Sequence, residues 1–274
     1  MDSTMLKSIR SNNHRELSKA ISFIENDKDI PPEYFIQLHP YIHQSIRIGI
    51  TGPPGVGKSS LVDRLIPEIL SQDKSVGVVA VDPTSPFSGG ALLGDRIRMN
   101  RFFDNNNVYI RSMGSHQYLG GLAKKAQDVG DVIAASGKDI IIFETVGIGQ
   151  AEHDIVTAVD LTVVVLMPGT GDEIQLMKAG LMEIADIFVI NKSDHLGLDN
   201  MIHDLNEVVD SGNDILLGRS VVVKTQSLNG EGIVKLKESI QAYREVLESS
   251  GGLKQKREDQ RSVEFFELVF QELK

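Results

Sequence analysis

Residues 46–65 read IRIGITGPPGVGKSSLVDRL, and this stretch decides the fold. The apolar run at 46–51 predicts a buried strand, and Gly52 to Ser59 fit the pattern G-x-x-x-x-G-K-S. A helix-like spacing of apolar residues follows. Such a loop turns backbone N–H groups toward a phosphate, its lysine adds a compact positive charge, and the helix N-terminus adds a partial one. The stretch therefore predicts a strand–loop–helix unit that binds nucleotide phosphates.

The predicted phosphate contacts form one continuous segment: Gly52, Pro53, Pro54, Gly55, Val56, Gly57, Lys58, Ser59 and Ser60. Lys58 is also a predicted catalytic residue, because an ammonium beside the β- and γ-phosphates neutralises the charge that develops during phosphoryl transfer. The Ser59 hydroxyl is a predicted Mg²⁺ ligand.

Outward from this unit, apolar strands alternate with helical segments. Strands are predicted at 46–51, 76–81, 108–112, 140–144, 161–167, 187–191 and 221–224, and helices at 59–71, 121–135, 171–183, 199–210 and 232–249. Strands without polar alternation are typical of a sheet covered on both faces. The fold class predicted is α/β, with a doubly wound, mostly parallel sheet of the P-loop NTPase type.

Helical extensions are predicted on both sides of this domain. A helix at 4–25, broken at Asn12 and Asn13, precedes a short helix that ends near 43, and one long helix follows Gly251 and Gly252. We expect an N-terminal extension at 1–43, a nucleotide-binding domain at 44–249 and a C-terminal helix at 250–274. The apolar stripe of the last helix packs on this chain or on another subunit.

A second motif, NKSD at 191–194, follows a predicted strand and indicates which base is bound. The carboxylate of Asp194 accepts hydrogen bonds from guanine N1–H and the N2 amino group, whereas adenine lacks this donor pair. Asn191 and Lys192 are expected to brace the loop and cover the base. The ligand predicted is GTP or GDP.

A third loop is expected to complete base recognition. In the segment VVVKTQSLNGEG, the residues Gln226, Ser227 and Leu228 follow the last predicted strand. We expect their backbone N–H groups to face the guanine carbonyl.

Carboxylates after two other strands are candidates for holding Mg²⁺. Glu144 ends the strand before the sequence TVG, and Asp82 opens the segment DPTSPFSGG with Asp95 beyond it. Carboxylate oxygens at the carboxyl ends of parallel strands suit Mg²⁺, directly or through water. Gly147 is expected to present its N–H to the γ-phosphate.

Two kinds of side chain are candidates for assisting hydrolysis. Gln150 lies shortly after Gly147 and is a candidate for orienting the attacking water, while Arg96, Arg98 and Arg101 are candidates for neutralising transferred charge. The seven histidines are assigned structural or solvated roles.

The composition limits the classes of partner. Lys and Arg number 28 and Asp and Glu 38, giving a net charge of −10, which disfavours binding of nucleic acid. The chain has no cysteine, so disulfides and thiolate metal sites are excluded. The polar N-terminus and the short apolar runs predict neither a signal peptide nor a membrane span, and we expect a cytoplasmic protein.

The motifs together resemble one family. The phosphate-binding loop, VDPTSPFSGG, ETVG, PGTGDEIQLMKAG and NKSD occur in the order typical of the MeaB/ArgK GTPases, which include the methylmalonic aciduria type A protein. The resemblance extends from about residue 14 to about residue 270. The segment IRSMGSHQYLGG departs from the family pattern S-P-S-G at that place.

The resemblance implies a function and further residues. Members act as GTP-hydrolysing chaperones for adenosylcobalamin-dependent mutases, chiefly methylmalonyl-CoA mutase. By this likeness, residues 169–180 are an additional switch loop, and Arg98 and Lys178 match positions that support hydrolysis. The family also implies a homodimer built on a C-terminal extension, of which this chain carries a short part.

Three alternatives remain from sequence alone. The first is a GTP-dependent metallochaperone of the nickel-insertion type, and the second is a transport-associated ATPase or kinase of the LAO/AO type. The third is a module that binds GTP without turnover.

Overall fold

The computed structural model describes residues 3–11, 13–26, 32–82, 99–114, 122–145, 159–169, 184–211 and 221–272. Along these residues lie, in order, α1 (Ser3–Arg10), α2 (His14–Asn26), α3 (Pro32–Ile42), β1 (Ile46–Thr51), α4 (Lys58–Leu70), β2 (Val76–Asp82), β3 (Val108–Gly114), α5 (Leu122–Ala135), β4 (Ile140–Glu144), β5 (Leu161–Leu166), β6 (Ile187–Ile190), α6 (Leu198–Ser211), β7 (Val221–Lys224), α7 (Ile233–Ser250) and α8 (Gly252–Glu272). A short 3₁₀ helix, Asn100–Phe102, precedes β3.

The seven strands form one sheet in the order β3-β2-β4-β1-β5-β6-β7, and every neighbouring pair is parallel. The predicted doubly wound α/β class is confirmed, and the sheet is wholly rather than mostly parallel. The chain builds one side of β1 before it crosses to the other side at β5. Ligands of open α/β sheets bind where the strand order reverses in this way, at the carboxyl ends of the strands. The loop after β1 therefore occupies the expected binding position.

Side chains of the strands alternate between two buried faces, as a two-residue period requires. On one face, Ile48 of β1 packs in a cluster with Leu61 of α4 and Leu236 of α7. On the other face, Phe143 of β4 belongs to a cluster that contains residues of α5 and of the N-terminal helices, such as Leu17. Both faces are thus covered, which explains why β1, β4, β5 and β6 are buried along their whole length.

The N-terminal helices are part of this packing. The predicted helix at 4–25 is divided into α1 and α2, because the side chain of Asn13 accepts hydrogen bonds from the N–H groups of Arg15 at 3.0 Å and Glu16 at 3.3 Å. This is an N-cap, and it starts a new helix. Farther along α2, the carboxylate of Glu25 forms an ion pair with Arg111 of β3.

The C-terminal helix is fixed to the amino edge of the sheet. Arg257 of α8 donates to the two carboxylate oxygens of Asp160 at 2.7 and 2.6 Å, and also to the carbonyls of His43 and Ser45 at 3.0 and 2.8 Å. Beyond Arg257, the apolar stripe of α8 is about half exposed at Val263. The first half of α8 therefore packs on its own chain, one of the two options open from sequence.

Most predicted element bounds agree with the structure within two residues. Strands β1, β4 and β7 match, β2 and β3 run two or fewer residues further, and β5 and β6 end one residue earlier. The helix predicted at 171–183 lies outside the described residues. None of the helices described is both long and apolar enough to cross a membrane.

Candidate functional site

The loop after β1 needs glycine at two positions for steric reasons. Gly52 has φ 140°, and an added Cβ would lie 2.1 Å from the carbonyl oxygen of Val165 in β5. Gly57 has φ 96°, and an added Cβ would lie 2.5 Å from Nδ2 of Asn191. The loop is therefore pressed against the neighbouring strand at one end and against the base-reading loop at the other. Helix α4 begins directly after Gly57, which directs its N-terminal N–H groups toward the loop.

Lys58 is held inside the loop. Its ammonium donates to the carbonyls of Gly52 at 2.8 Å and Pro53 at 2.9 Å, and the residue is buried. Both acceptors belong to the loop that the sequence predicts to surround the phosphates. The geometry places the charge of the lysine at the centre of that loop, where an anionic ligand lowers the cost of burying it.

Two side-chain hydrogen bonds join the phosphate loop and the end of β1 to the end of β4. The Ser59 hydroxyl donates to Oε1 of Glu144 at 2.5 Å, and the Thr145 hydroxyl donates to that of Thr51 at 3.0 Å. Glu144 is buried, and its strand neighbour in β1 is Ile50. The predicted Mg²⁺ ligands Ser59 and Glu144 are thus brought together, and two oxygens of this kind suit a hard cation.

Asn191 connects three loops. Its Nδ2 donates to the carbonyl of Val56 in the phosphate loop at 2.7 Å. Its Oδ1 accepts from the N–H of Ser227 at 3.0 Å, from the hydroxyl of Ser227 at 2.8 Å and from the hydroxyl of Thr225 at 3.1 Å. Asn191 is buried, so its side-chain amide is removed from water. These bonds use every hydrogen-bonding site of the amide except one N–H donor. The amide fixes the phosphate loop and both base loops relative to one another.

The other residues of the NKSD motif follow from this arrangement. Lys192 has a positive φ of 53°. Its ammonium donates to the carbonyl of Gly55 at 2.9 Å, so it braces the phosphate loop. Asp194 is exposed at the open side of the same loop. Its carboxylate is accessible to a ligand, as the predicted role in reading guanine requires.

In the third loop, two of the three predicted N–H donors already form hydrogen bonds within the protein. The N–H of Gln226 donates to the carbonyl of Glu231 at 3.0 Å, and that of Ser227 is bound to Asn191. Arg64 of α4 holds the carbonyls of Ser227 at 3.0 Å and Leu228 at 2.5 Å. In this conformation the loop has fewer N–H groups available to donate to guanine than the sequence predicts.

Several predicted site residues are not placed by the structure. Asp95, Arg98, Gly147, Gln150 and Lys178 lie outside the described residues, as does Arg96. Asp82 is described only as the last residue of β2. Their roles remain predictions.

Arg101 is the one arginine candidate that the structure describes, and its guanidinium is bound to α4. Its guanidinium donates to both carboxylate oxygens of Asp63, at 3.1 and 2.8 Å, and to the carbonyl of Asp63 at 2.7 Å. It also lies over the ring of Phe102, 4.6 Å from the ring centre. In this conformation Arg101 holds the 3₁₀ segment against α4 through three hydrogen bonds to Asp63.

Two histidines that the sequence analysis leaves unconnected are neighbours. Nε2 of His39 and Nε2 of His43 lie 3.2 Å apart, and the spacing of four residues, one helical turn, is the signal that predicts it. Burial lowers the pKa of His43 to about 4, helped by the charges of Arg261, His39, Arg257 and Arg47 in that order. This positive surrounding favours the neutral form of His43 and opposes a bound cation.

Comparison with known proteins identifies relatives of this arrangement. The sequence profile described as "Methylmalonyl Co-A mutase-associated GTPase MeaB" matches residues 17–274. A protein of Pyrococcus abyssi is 47% identical over 256 residues, which cover 92% of this chain and 79% of the relative. The GTPase ArgK of Escherichia coli is 32% identical over 274 residues, covering 95% of this chain and 81% of the relative.

A solved structure is similar to this chain over nearly its whole length. The crystal structure of a LAO/AO transport system kinase has a TM-score of 0.79 and 26% sequence identity, and it covers 99% of this chain and 85% of its own.

Proposed function

The chain belongs to the MeaB family of methylmalonyl-CoA mutase-associated GTPases, and from that membership we propose that it uses GTP as a switch to assist an adenosylcobalamin-dependent mutase. The protein is a P-loop GTPase. The observation that carries the proposal is the amide of Asn191, which joins the phosphate loop to both base loops. These bonds hold the phosphate loop and the base loops together as one unit.

Guanine selection is assigned to Asp194. The exposed carboxylate follows a lysine that is fixed to the phosphate loop, so its distance from the phosphate loop is limited by the backbone between them. A carboxylate accepts from N1–H and the N2 amino group together, and a base that lacks this donor pair leaves the carboxylate unpaired, which costs affinity. Leu228, Ser227 and Gln226 complete the base site.

Hydrolysis is assigned to the phosphate loop. Water attacks the γ-phosphorus, the bond from that phosphorus to the β,γ-bridging oxygen breaks, and GDP and inorganic phosphate are released. Most of the catalysis of such a reaction consists of positioning and of neutralising charge. Lys58 supplies a buried positive charge at the centre of the loop. Gln150, Arg98 and Lys178 are proposed to orient the water and to neutralise the transferred group.

Mg²⁺ is the proposed metal, and the residues present fit it. Ser59 and Glu144 bring a hydroxyl and a carboxylate oxygen within 2.5 Å of one another at the end of the phosphate loop. When bound, the ion would neutralise phosphate charge, with Asp82 and Asp95 as the proposed remaining ligands. Glu144 and Ser59 already form one hydrogen-bonded unit through which metal binding would reach β4.

The proposed partner is a mutase of the methylmalonyl-CoA mutase type. The support is the family description, which names that enzyme. The segment 169–180 is the proposed contact, and it begins at Gly169, whose added Cβ would lie 3.7 Å from the carbonyl of Leu196 beside the base loop. A homodimer is proposed from the family resemblance.

Nucleotide selectivity tests the guanine assignment. We expect the wild-type protein to bind GDP much more tightly than ADP. Asp194→Asn should weaken GDP by about 100-fold or more, because the amide keeps one neutral acceptor and sets an NH₂ group against a donor of the base. Calorimetry with both nucleotides measures this. Lys237→Ala, which removes a lysine paired with Glu68 away from the loops, is the matched control. Equal affinities of the wild-type protein for GDP and ADP would exclude guanine selection.

Turnover tests the phosphate loop separately. We expect Lys58→Ala to abolish release of inorganic phosphate from GTP, while Lys237→Ala leaves it unchanged. Wild-type rates in Lys58→Ala would remove the loop from the mechanism.

Capture from the source cells tests the partner. Protein loaded with a non-hydrolysable GTP analogue, with GDP or with no nucleotide is immobilised and exposed to a lysate. Recovery of a mutase subunit that differs between the three states supports the proposal. Recovery of hydrogenase or urease components instead would favour the nickel-insertion alternative, which the positive field around His39 and His43 does not support.

A further inference from the structure

A contact between the phosphate-binding helix and the third base loop carries an inference that rests on the proposed guanine recognition. Arg64 lies on α4, and its partner carbonyls belong to Ser227 and Leu228, 163 and 164 residues later. Its Nε donates to the first carbonyl at 3.0 Å and one terminal nitrogen donates to the second at 2.5 Å. The side chain is partly buried between the two elements.

Because the peptide bond is planar, this contact fixes the orientation of the peptide between Ser227 and Leu228. In a trans peptide the C=O of one residue and the N–H of the next point in opposite directions. Because Arg64 holds the carbonyl of Ser227, the N–H of Leu228 is directed away from α4. The other end of Ser227 is fixed as well, since its N–H and hydroxyl are bound to Asn191. The peptide is therefore restrained against rotation from both sides.

This N–H is the donor that the loop retains. The N–H groups of Gln226 and Ser227 are bound to Glu231 and Asn191. Among the residues that the structure describes, none accepts a hydrogen bond from the N–H of Leu228. A guanine offers an acceptor at O6, whereas adenine has an amino donor at the same position.

We propose that Arg64 is a positioning residue for guanine recognition, which fixes the Leu228 N–H as the donor to O6. If the peptide turned over, the carbonyl of Ser227 would face the base in place of the N–H, and the loop would favour an amino group. By holding both carbonyls, Arg64 ensures that the loop presents an N–H donor, and not a carbonyl acceptor, to the base. It touches neither the nucleotide nor the reacting atoms.

An analogue that differs from GDP at one atom tests this. The diphosphates compared are those of guanosine, 6-thioguanosine and inosine. The first pair differs only at O6, which sulfur replaces as a weaker acceptor, and the inosine nucleotide lacks only the N2 amino group that Asp194 reads. Affinities are measured for the wild-type protein, Arg64→Ala and Arg64→Lys. The control is Glu68→Gln, which removes a carboxylate of the same helix that pairs with Lys237 at 3.8 Å.

We expect the wild-type protein and Glu68→Gln to prefer GDP over its 6-thio analogue by about fivefold, the size of one neutral hydrogen bond. In Arg64→Ala this ratio should fall to about one, while the ratio of GDP to inosine diphosphate is unchanged. Arg64→Lys, which has one point donor for two carbonyls, should lie between them. The unfolding temperature of each variant is recorded alongside.

Other results overturn the inference or the function beneath it. If both affinities fall equally in Arg64→Ala and Arg64→Lys, the 6-thio ratio stays at its wild-type value and Arg64 only supports the loop. If the wild-type protein shows no preference for GDP over either the inosine or the adenosine diphosphate, the proposed guanine site itself fails.

Discussion

Nδ2 of Asn191 donates a hydrogen bond to the carbonyl of Val56 at 2.7 Å, across 135 residues of sequence. The remaining bonds of the same amide go to the loop after β7. Base reading and phosphate binding therefore share one side chain. Loss of this side chain is expected to affect both.

Asn191→Ala is expected to lower the free energy of unfolding by about 3 kcal/mol, because the partners of four buried hydrogen bonds lose their acceptor or donor. GDP affinity should fall too. Asn191→Asp is the sharper variant, since it keeps the acceptor oxygen but sets a carboxylate oxygen against the carbonyl of Val56. Urea unfolding and calorimetry measure both effects. Wild-type stability and affinity in Asn191→Asp would show that the Val56 bond is dispensable.

Gly57→Ala is expected to destabilise the protein more than Gly55→Ala. Both positions have positive φ, 96° and 81°, so each substitution carries a backbone cost of about 1–2 kcal/mol. Only at Gly57 would the new Cβ also overlap with Asn191, at 2.5 Å, whereas no atom lies within 4 Å at Gly55. Thermal unfolding without nucleotide isolates the difference. Equal unfolding temperatures would mean that Asn191 moves aside without cost.

Arg257→Ala is expected to lower the free energy of unfolding by about 3–5 kcal/mol, because it leaves the carboxylate of Asp160 buried without its main cation. That carboxylate is 1% exposed. The control is Lys254→Ala in the same helix, where the pair with Glu258 is exposed and contributes about 0.5 kcal/mol or less. Urea unfolding compares the two. A similar small loss for both variants would show that α8 is held by other contacts.

The His39–His43 pair is expected to make stability depend on pH. The pKa of His43 is lowered from 6.5 to about 4, so the unfolded chain binds more protons than the folded chain between these values. Stability contributed by the neutral form is present above pH 6.5 and is lost as the pH falls toward 4. His43→Gln should therefore flatten the decline of the urea midpoint between pH 6.5 and 5. An unchanged slope would assign the decline to carboxylates alone.

The sequence predicted the parts of the fold that local pattern determines. The bounds of β1, β4 and β7 were predicted correctly, because each strand is a short run rich in isoleucine or valine that ends at a polar residue. Asn13 was predicted as a break but not as a cap, since the capping geometry depends on φ and ψ. The phosphate loop was predicted from spacing alone.

Contacts over long sequence distances were not predictable. Arg101 stood beside two candidate catalytic arginines, and only the tertiary structure shows its guanidinium on Asp63, 38 residues earlier. Arg64 carries no motif at all, and its carbonyl partners lie 163 and 164 residues away. Every residue type has a backbone carbonyl, so the sequence does not show which carbonyls an arginine binds. The pairing of His39 with His43, in contrast, could have been predicted from the one-turn spacing but was not.

The central position of β1 has a consequence for biosynthesis. Its two partner strands, β4 and β5, leave the ribosome long after it, since Ile46 pairs with Ile140 and Ile48 with Leu161. The amide that locks the phosphate loop comes later still. A nascent chain therefore displays its most recognisable motif early but acquires a closed site only when β7 has emerged. We expect nucleotide to protect ribosome-bound chains from protease only once they extend beyond the loop after β7, a threshold that staged translation arrest measures.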